Sequence, residues 1–353
     1  MNGRELVETL RSQSLPPVVV AELSGNHGGD LSRAMALVDA AAEAGADAVK
    51  LQTYKPETIT VEARTEPFLL KEGLWTGRYL ADLYAEAMTP WEWHEPLADR
   101  ARERGVALFS SPFDETAVDF LEETISPPLH KIASFELNHF PLLRKVARTG
   151  KPVVASTGAS NEEEVAEAVS LLRAEGCSLV ILLQCVSEYP ADPAEFQLSG
   201  IPKLREDFGV LPGVSDHSPG SVVPVAATAL GARLVEKHFV LDREDGSVDA
   251  GFSMEPEEFK AMADAVRLAH ASLGESWVGL RDSQAGSRRF LRSIWVVEPV
   301  RMGEVFSTEN LRVARPSDGL SPARWEEVLG KRAARDLERG HPLSEEDLED
   351  ENE

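Results

Sequence analysis

The sequence predicts an α/β protein: a (β/α)8 TIM barrel over residues 1–282, a short linker at 283–289 and a small second domain over 290–353. Three observations carry this. Eight short apolar, β-branched runs recur, all but the second and third roughly 20–35 residues apart, about the length of one βα unit. Most are followed by a helical pattern. Polar side chains gather at the C-terminal end of nearly every run, as in a closed barrel whose strands share one site. A doubly wound sheet is the rival arrangement.

The runs fall at 18–21, 48–51, 106–109, 129–132, 152–155, 179–183, 212–215 and 234–237. After the first, Leu31, Ala34, Met35, Val38 and Ala42 mark one helical face that ends near Gly45. After the second, residues 55–88 form an insertion long enough to be a lid or wall of a site. A helix is expected to follow, with Thr89 as N-cap and Pro90 at its first position. Beyond the eighth unit the composition changes to short pieces with turns at Met302-Gly303, Asp318-Gly319 and Arg339-Gly340. A domain of about 60 residues has a thin core and leans readily on a partner surface.

The 353 residues carry a net charge of −24, which argues against nucleic acid and anionic membranes as partners. One small anionic substrate needs only a local cluster of cations. Part of the excess is the acidic run Glu345-Glu346-Asp347-Leu348-Glu349-Asp350-Glu351-Asn352-Glu353, read as a solvated end. Two cysteines, Cys177 and Cys185, make no disulfide framework and suit a reducing compartment. The polar start lacks the apolar core of a secretory leader, so a cytoplasmic protein is expected.

The candidate chemistry lies at the strand ends. His217 and His238 close the seventh and eighth runs, where two imidazoles can hold a divalent metal and leave positions open for water and substrate. The bland alternative is one packed histidine and one incidental. His27, His94, His130, His139, His270 and His341 show no such pairing. Lys50, Lys131 and Lys237 lie inside strand runs, and a buried lysine needs a carboxylate, a ligand anion or a covalent role. With Ser111, Ser134 and Ser215 nearby, two of them suit a phosphate; the alternative is ion pairing with Glu22, Glu136 or Glu236. Strand alternation puts Lys131, Ala133 and Phe135 on one face and Ser134 on the other, unless the strand end twists. Glu22, Glu136 and Asp249 can hold water or act as a base. Asp216 is either an orienting partner or a turn residue, and Cys185 a packed strand residue.

These stretches resemble the sialic acid synthase family. The resemblance rests on Ala21-Glu22-Leu23-Ser24-Gly25-Asn26-His27, Lys50-Leu51-Gln52-Thr53-Tyr54, Phe109-Ser110-Ser111-Pro112-Phe113, Lys131-Ile132-Ala133-Ser134-Phe135-Glu136, Ser156-Thr157-Gly158, Ser215-Asp216-His217 and Glu236-Lys237-His238-Phe239. The C-terminal domain looks like the antifreeze-like (SAF) domain of that family, marked by Asn310-Leu311-Arg312-Val313-Ala314-Arg315-Pro316. Thr89-Pro90-Trp91-Glu92-Trp93-His94, the triplet Ser134-Phe135-Glu136 and the insertion at Gly73-Leu74-Trp75 look most like the pseudaminic acid synthase branch. Phe135, where the other branches more often have Gly, suggests an apolar pocket suited to a 6-deoxy, diacetamido sugar.

The resemblance implies a transferase that condenses phosphoenolpyruvate with an N-acetylated amino sugar. His217 and His238 resemble the metal ligands, with Mn2+ first and Mg2+ or Co2+ as alternatives. Lys50, Ser111, Lys131, Ser134, Ser187 and Ser215 resemble the phosphoenolpyruvate site, and Glu22, Gln52, Tyr189 and Asp249 the sugar contacts. Glu136 resembles a base for water, and Glu22, Lys50 and Lys131 share the catalytic role. Arg315 matches the arginine that completes the partner's barrel in a homodimer. Gln184 and Asp318 depart from the pattern, and Asp318 puts that last contact in question. The competing readings are N-acetylneuraminate or legionaminate synthesis, a Schiff-base aldolase, and a non-enzymatic carbohydrate-binding or ice-binding protein.

Overall fold

The computed structural model describes residues 1–274 and 278–349 and divides the chain into two compact units, Met1–Gly274 and Glu275–Glu353. In the first unit the strands β1 (Val18–Glu22), β2 (Ala48–Thr53), β3 (Ala107–Pro112), β4 (His130–Ile132), β5 (Val153–Ser156), β6 (Val180–Cys185), β7 (Leu211–Asp216) and β8 (Leu234–His238) close into one barrel in sequence order. All neighbours are parallel, and β1 pairs with both β2 and β8. All eight expected runs are strands, and the barrel replaces the doubly wound alternative.

Residues alternate between barrel interior and surrounding helices. Val19, Val49 and Val235 pack outward against the helix Leu31–Glu43 and its neighbours. Inside, Val18, Val20, Ala48, Phe109, Val154, Ile181 and Leu234 fill the N-terminal half of the barrel. The helix Gly3–Arg11, capped by Asn2 and Glu5, brings Leu6 and Leu10 to this cluster. Polar interior side chains are thereby left to the C-terminal half.

Local signals mark most helices correctly, and the start at Thr89 is the exception among them. Helix Leu31–Glu43 starts from the Asp30 cap, and its expected face of Leu31, Ala34, Met35, Val38 and Ala42 packs on the core, with Leu37 and Ala41 buried beside it. Thr89 is not an N-cap. Pro90 is extended, a 3-10 turn occupies Trp91–Trp93, and the α-helix begins at His94. The Thr89 hydroxyl faces the His27 ring instead, at 3.4 Å. The insertion contains the helices Pro56–Ile59 and Leu80–Ala87.

In the second unit β9 (Ser293–Val296) pairs antiparallel with β10 (Leu311–Ala314). A small core gathers Ile294, Val296, Phe306, Leu311, Val328 and Leu343. Gly319 packs so closely that a side chain there would meet the Ile294 carbonyl at 2.4 Å. The stretch Asp282–Phe290, where a linker is expected, is wound into 3-10 turns. Among the described residues no helix is long and apolar enough to cross a membrane.

Candidate active site

Parallel register places the functional side chains in rings. Glu22 pairs in register with Lys50 on one side and His238 on the other. Gln52 lies opposite Ser111, Cys185 opposite Ser215, and Ser215 opposite Glu236. Lys50 Nζ stands 3.1 Å from Glu22 Oε2 and 2.9 Å from Glu236 Oε1. Lys131 Nζ donates to Ser156 Oγ at 2.8 Å and lies 3.6 Å from the same Glu236 oxygen. Ser215 Oγ donates to that oxygen as well, at 3.1 Å.

These buried charges regulate one another. Burial opposes the charge on Lys50, but the two carboxylates overcome it and hold the ammonium above its usual range. Lys131 falls below its usual range because burial, with Lys50 nearby, outweighs Glu236. Burial also opposes the charge on Glu236, yet Lys131 and Lys50 bring it down to about 2. Glu22 is raised, first by burial. Two lysines thus face two glutamates, with charge held most firmly on Lys50 and Glu236.

Above this floor the hydroxyls are poorly satisfied. Ser111 Oγ is buried without a hydrogen-bond partner. Among the described residues, Ser134 Oγ and Ser187 Oγ have only the Cys185 sulfur, at 3.6 and 3.8 Å. Gly158 lies against them: a Cβ there would stand 2.3 Å from Ser187 Oγ and 2.9 Å from Ser134 Oγ. Free donors beside two lysines suit an oxyanion. Strand alternation misplaces Ser134 and Phe135, because β4 ends at Ile132 and a 3-10 turn takes over at Ser134–Glu136. Ser134 is therefore buried and Phe135 is 60% exposed.

A second polar chain runs from Glu22. Gln52 Nε2 donates to Glu22 Oε1 at 3.0 Å and to Ser24 Oγ at 3.1 Å, and Ser24 donates onward to Asp249. Ser24 holds φ at 45°, a left-handed conformation uncommon outside glycine. Burial raises the Asp249 carboxyl. Glu136 carries one buried oxygen without a partner, and burial pushes its carboxyl up to about 7 against the pull of Lys131 and Lys50.

His217 and His238 meet with ring centroids 5.2 Å apart. His217 Nδ1 lies 2.8 Å from the Val186 carbonyl, so that nitrogen carries a proton and Nε2 holds the lone pair when the ring is neutral. His238 Nδ1 is buried without a partner. One aimed imidazole and one orphaned ring nitrogen fit a divalent metal. Among the described residues no group of three or more His, Cys, Asp or Glu forms such a site, so other coordination positions would belong to water and substrate. Tyr189 packs on His217 at 4.5 Å and on Phe252 at 5.0 Å, and Phe252 on His238 at 4.7 Å. Trp75 of the insertion reaches Tyr189 at 5.5 Å and donates to the Val248 carbonyl at 2.9 Å. The insertion therefore contributes to an aromatic wall.

Of the three strand lysines, Lys50 and Lys131 enter the barrel, whereas Lys237 faces outward and pairs with Asp216 at 2.6 Å. His27, His94 and His130 are buried with hydrogen-bonding partners, outside this constellation. Cys185 is buried at the end of β6 and also touches the His217 ring. Arg315 and Asp318, in the second unit, are both exposed, and among the described residues no ion pair joins them. Sequence reasoning missed Ser24, Ser156, Gly158 and Phe252 as site residues and treated Glu236 only as an ion-pair partner. Alternation from His238 points to Glu236, and the end of β5 points to Ser156. Phe252 ends the short 3-10 turn Ala250–Phe252, too brief for a periodic signal.

Residues 37–277 match the NeuB family and residues 292–349 the SAF domain. Proteins named pseudaminic acid synthase from Campylobacter jejuni (strain 81-176) and Helicobacter pylori are 44% and 41% identical to the chain. The alignments cover 94% and 95% of this chain and 96% and 98% of theirs. A Campylobacter jejuni protein named N,N'-diacetyllegionaminic acid synthase is 33% identical over 93% of this chain and 99% of its own. The crystal structure of the Bacillus subtilis spore coat polysaccharide biosynthesis protein SpsE superposes with a TM-score of 0.63 at 36% identity, covering 96% of each chain.

Proposed function

The chain belongs to the NeuB family, and we propose that it is a pseudaminic acid synthase. It joins phosphoenolpyruvate to the open-chain aldehyde of 2,4-diacetamido-2,4,6-trideoxy-altrose and releases phosphate by C–O cleavage. The observation that carries this reading is the 44% identity, over nearly the whole of both chains, to a protein named for that reaction. The 33% identity to a legionaminic acid synthase ranks the same chemistry on another sugar below it.

The geometry supports the following division of labour. Lys50 and Lys131 neutralise the phosphate and carboxylate of phosphoenolpyruvate, while Ser111, Ser134, Ser187 and Ser215 donate to its oxygens. Glu22, Gln52, Tyr189 and Asp249 hold the sugar, and Trp75 and Phe252 extend its apolar side. His217 and His238 would hold a divalent metal, Mn2+ first, which supplies Lewis-acid polarisation of the aldehyde oxygen when bound. C3 of phosphoenolpyruvate forms the new C–C bond to the aldehyde carbon. Water adds to the cationic C2, with Glu136 taking its proton, and the tetrahedral centre expels phosphate. The working unit is a homodimer in which Arg315 of one subunit reaches the partner's sugar site. Phosphoenolpyruvate chemistry and the free thiols of Cys177 and Cys185 fit a cytoplasmic setting.

The test offers phosphoenolpyruvate with each of three sugars: the diacetamido altrose derivative, the legionaminate precursor and N-acetylmannosamine. Product mass and phosphate release are read for each. Strong preference for the first is expected. Equal turnover of N-acetylmannosamine would overturn the assignment.

A further inference from the structure

The residue before each histidine points away from the site. Asp216 and Lys237 are register partners, and theirs is the final pair between β7 and β8. His217 follows Asp216 and lies beyond the last residue of β7; His238 follows Lys237 and ends β8. Because strand side chains alternate, Ser215 and Glu236 point inward while Asp216 and Lys237 point outward. Their ion pair measures 2.6 Å, and both side chains are almost wholly buried.

Besides meeting each other, both side chains bond the same short turn. Beyond Asp216, the Lys237 ammonium donates to the Ser218 carbonyl and, at 3.2 Å, to the Gly220 carbonyl. The other Asp216 oxygen accepts from Ser218 N at 2.7 Å and Ser218 Oγ at 2.6 Å. The loop leaving His217 is thus wrapped around a lysine that belongs to the His238 strand. An apolar pair of equal volume would fill this space without fixing direction, whereas three ammonium donors fix both.

We propose that the Asp216–Lys237 pair is the positioning device of the histidine site. It locks the ends of β7 and β8 so that His217 and His238 keep the separation and aim a shared metal requires. Neither residue touches substrate. The metal arm of this inference rests on the reading of the two histidines as metal holders.

The test compares wild type with Lys237→Met, the double variant Asp216→Asn/Lys237→Met, and Lys237→Arg. Mn2+ uptake is measured by loss of the free-ion electron paramagnetic resonance signal, without substrates. In the metal-free proteins, nuclear magnetic resonance follows the imidazole N–H proton of His217, held by the Val186 carbonyl. Thermal unfolding is recorded in parallel. The double variant, which leaves no unpaired buried charge, is expected to unfold cooperatively, bind Mn2+ about tenfold more weakly and lose the protected His217 proton. Lys237→Arg, which keeps the charge, should restore part of both signals. Unchanged Mn2+ affinity and an unchanged His217 proton in the double variant would overturn the proposal, whatever the melting temperature does. If the double variant does not fold, Lys237→Met decides by the same two signals: loss supports the inference and no change refutes it. If wild type takes up no Mn2+, the metal reading fails and the His217 proton alone decides whether the pair positions the ring.

Discussion

Glu236 reaches Lys50 at 2.9 Å with the same carboxylate oxygen that faces Lys131 at 3.6 Å. One anion therefore serves two buried cations, and its removal leaves Glu22 alone against both. Glu236→Gln should destabilise the free protein by about 3 kcal/mol, because a buried charge loses its counterion. Phosphoenolpyruvate supplies negative charge to the same lysines. Its stabilising effect should then be larger in the variant than in wild type. Thermal unfolding with and without saturating phosphoenolpyruvate checks this. Equal shifts in the two proteins would show that the ligand does not meet these lysines.

Glu136 gives a pH dependence of definite sign. Burial raises its carboxyl to about 7, so the carboxylate needed to accept a proton from water is lost as pH falls through that value. The kcat/KM profile, which reports groups of the free enzyme, should have an acid limb near pH 7. Glu136→Gln should lower kcat by about 100-fold or more and remove the limb. Stability runs the other way. A carboxyl with a raised folded pKa contributes stability fully below its ordinary value of 4.5, and that contribution disappears as pH rises through about 7. Glu136→Gln should thus be more stable than wild type at pH 8, with the difference closing towards pH 4. Denaturant unfolding at the two pH values measures it.

The barrel was legible because its signal repeats: eight β-branched runs, each with polar residues at one end. The histidine pair was legible for the same reason, since both residues lie just at the ends of adjacent strands. Errors arose where a strand stopped early. Alternation continued past Ile132 gives the wrong faces for Ser134 and Phe135, because a 3-10 turn no longer has period 2. Lys237 looked equivalent to Lys50 and Lys131, yet it is one residue out of phase with the interior position Glu236. Ser24 and Phe252 act from loops, where position depends on long-range packing. Thr89 and Pro90 carry a sound helix-start pattern, but the Thr89 hydroxyl is turned to His27.

The proposed exchange of Arg315 between subunits has a complementation test. Arg315→Ala should raise the sugar KM more than the phosphoenolpyruvate KM, because a guanidinium fork pairs with hydroxyl or acetamido oxygens. His217→Ala alone should be inactive. When the two variants are mixed and allowed to exchange, each heterodimer has one site with both defects and one with neither. Random exchange of equal amounts should restore about a quarter of wild-type activity. No recovery, with heterodimers demonstrated by mass, would place the action of Arg315 within its own chain or remove it from catalysis.

Gly158 separates the needs of the fold from those of the site. A Cβ at this position would lie 2.3 Å from Ser187 Oγ, 2.9 Å from Ser134 Oγ and 3.3 Å from Cys185 Sγ. All three are side-chain atoms that can turn aside by rotation about one bond, so the backbone need not move. Gly158→Ala should therefore cost the fold only about 1 kcal/mol. The two hydroxyls, however, turn away from the oxyanion they are proposed to hold. Each lost donor to a charged group weakens binding by about 1.5–3 kcal/mol. The KM for phosphoenolpyruvate should rise by at least about tenfold, while the sugar KM stays near wild type. Ser134→Ala and Ser187→Ala should each reproduce part of this rise and, combined with Gly158→Ala, add little to it, because the methyl has already displaced the same hydroxyls. Full additivity in steady-state kinetics would mean that Gly158 acts through something other than these serines.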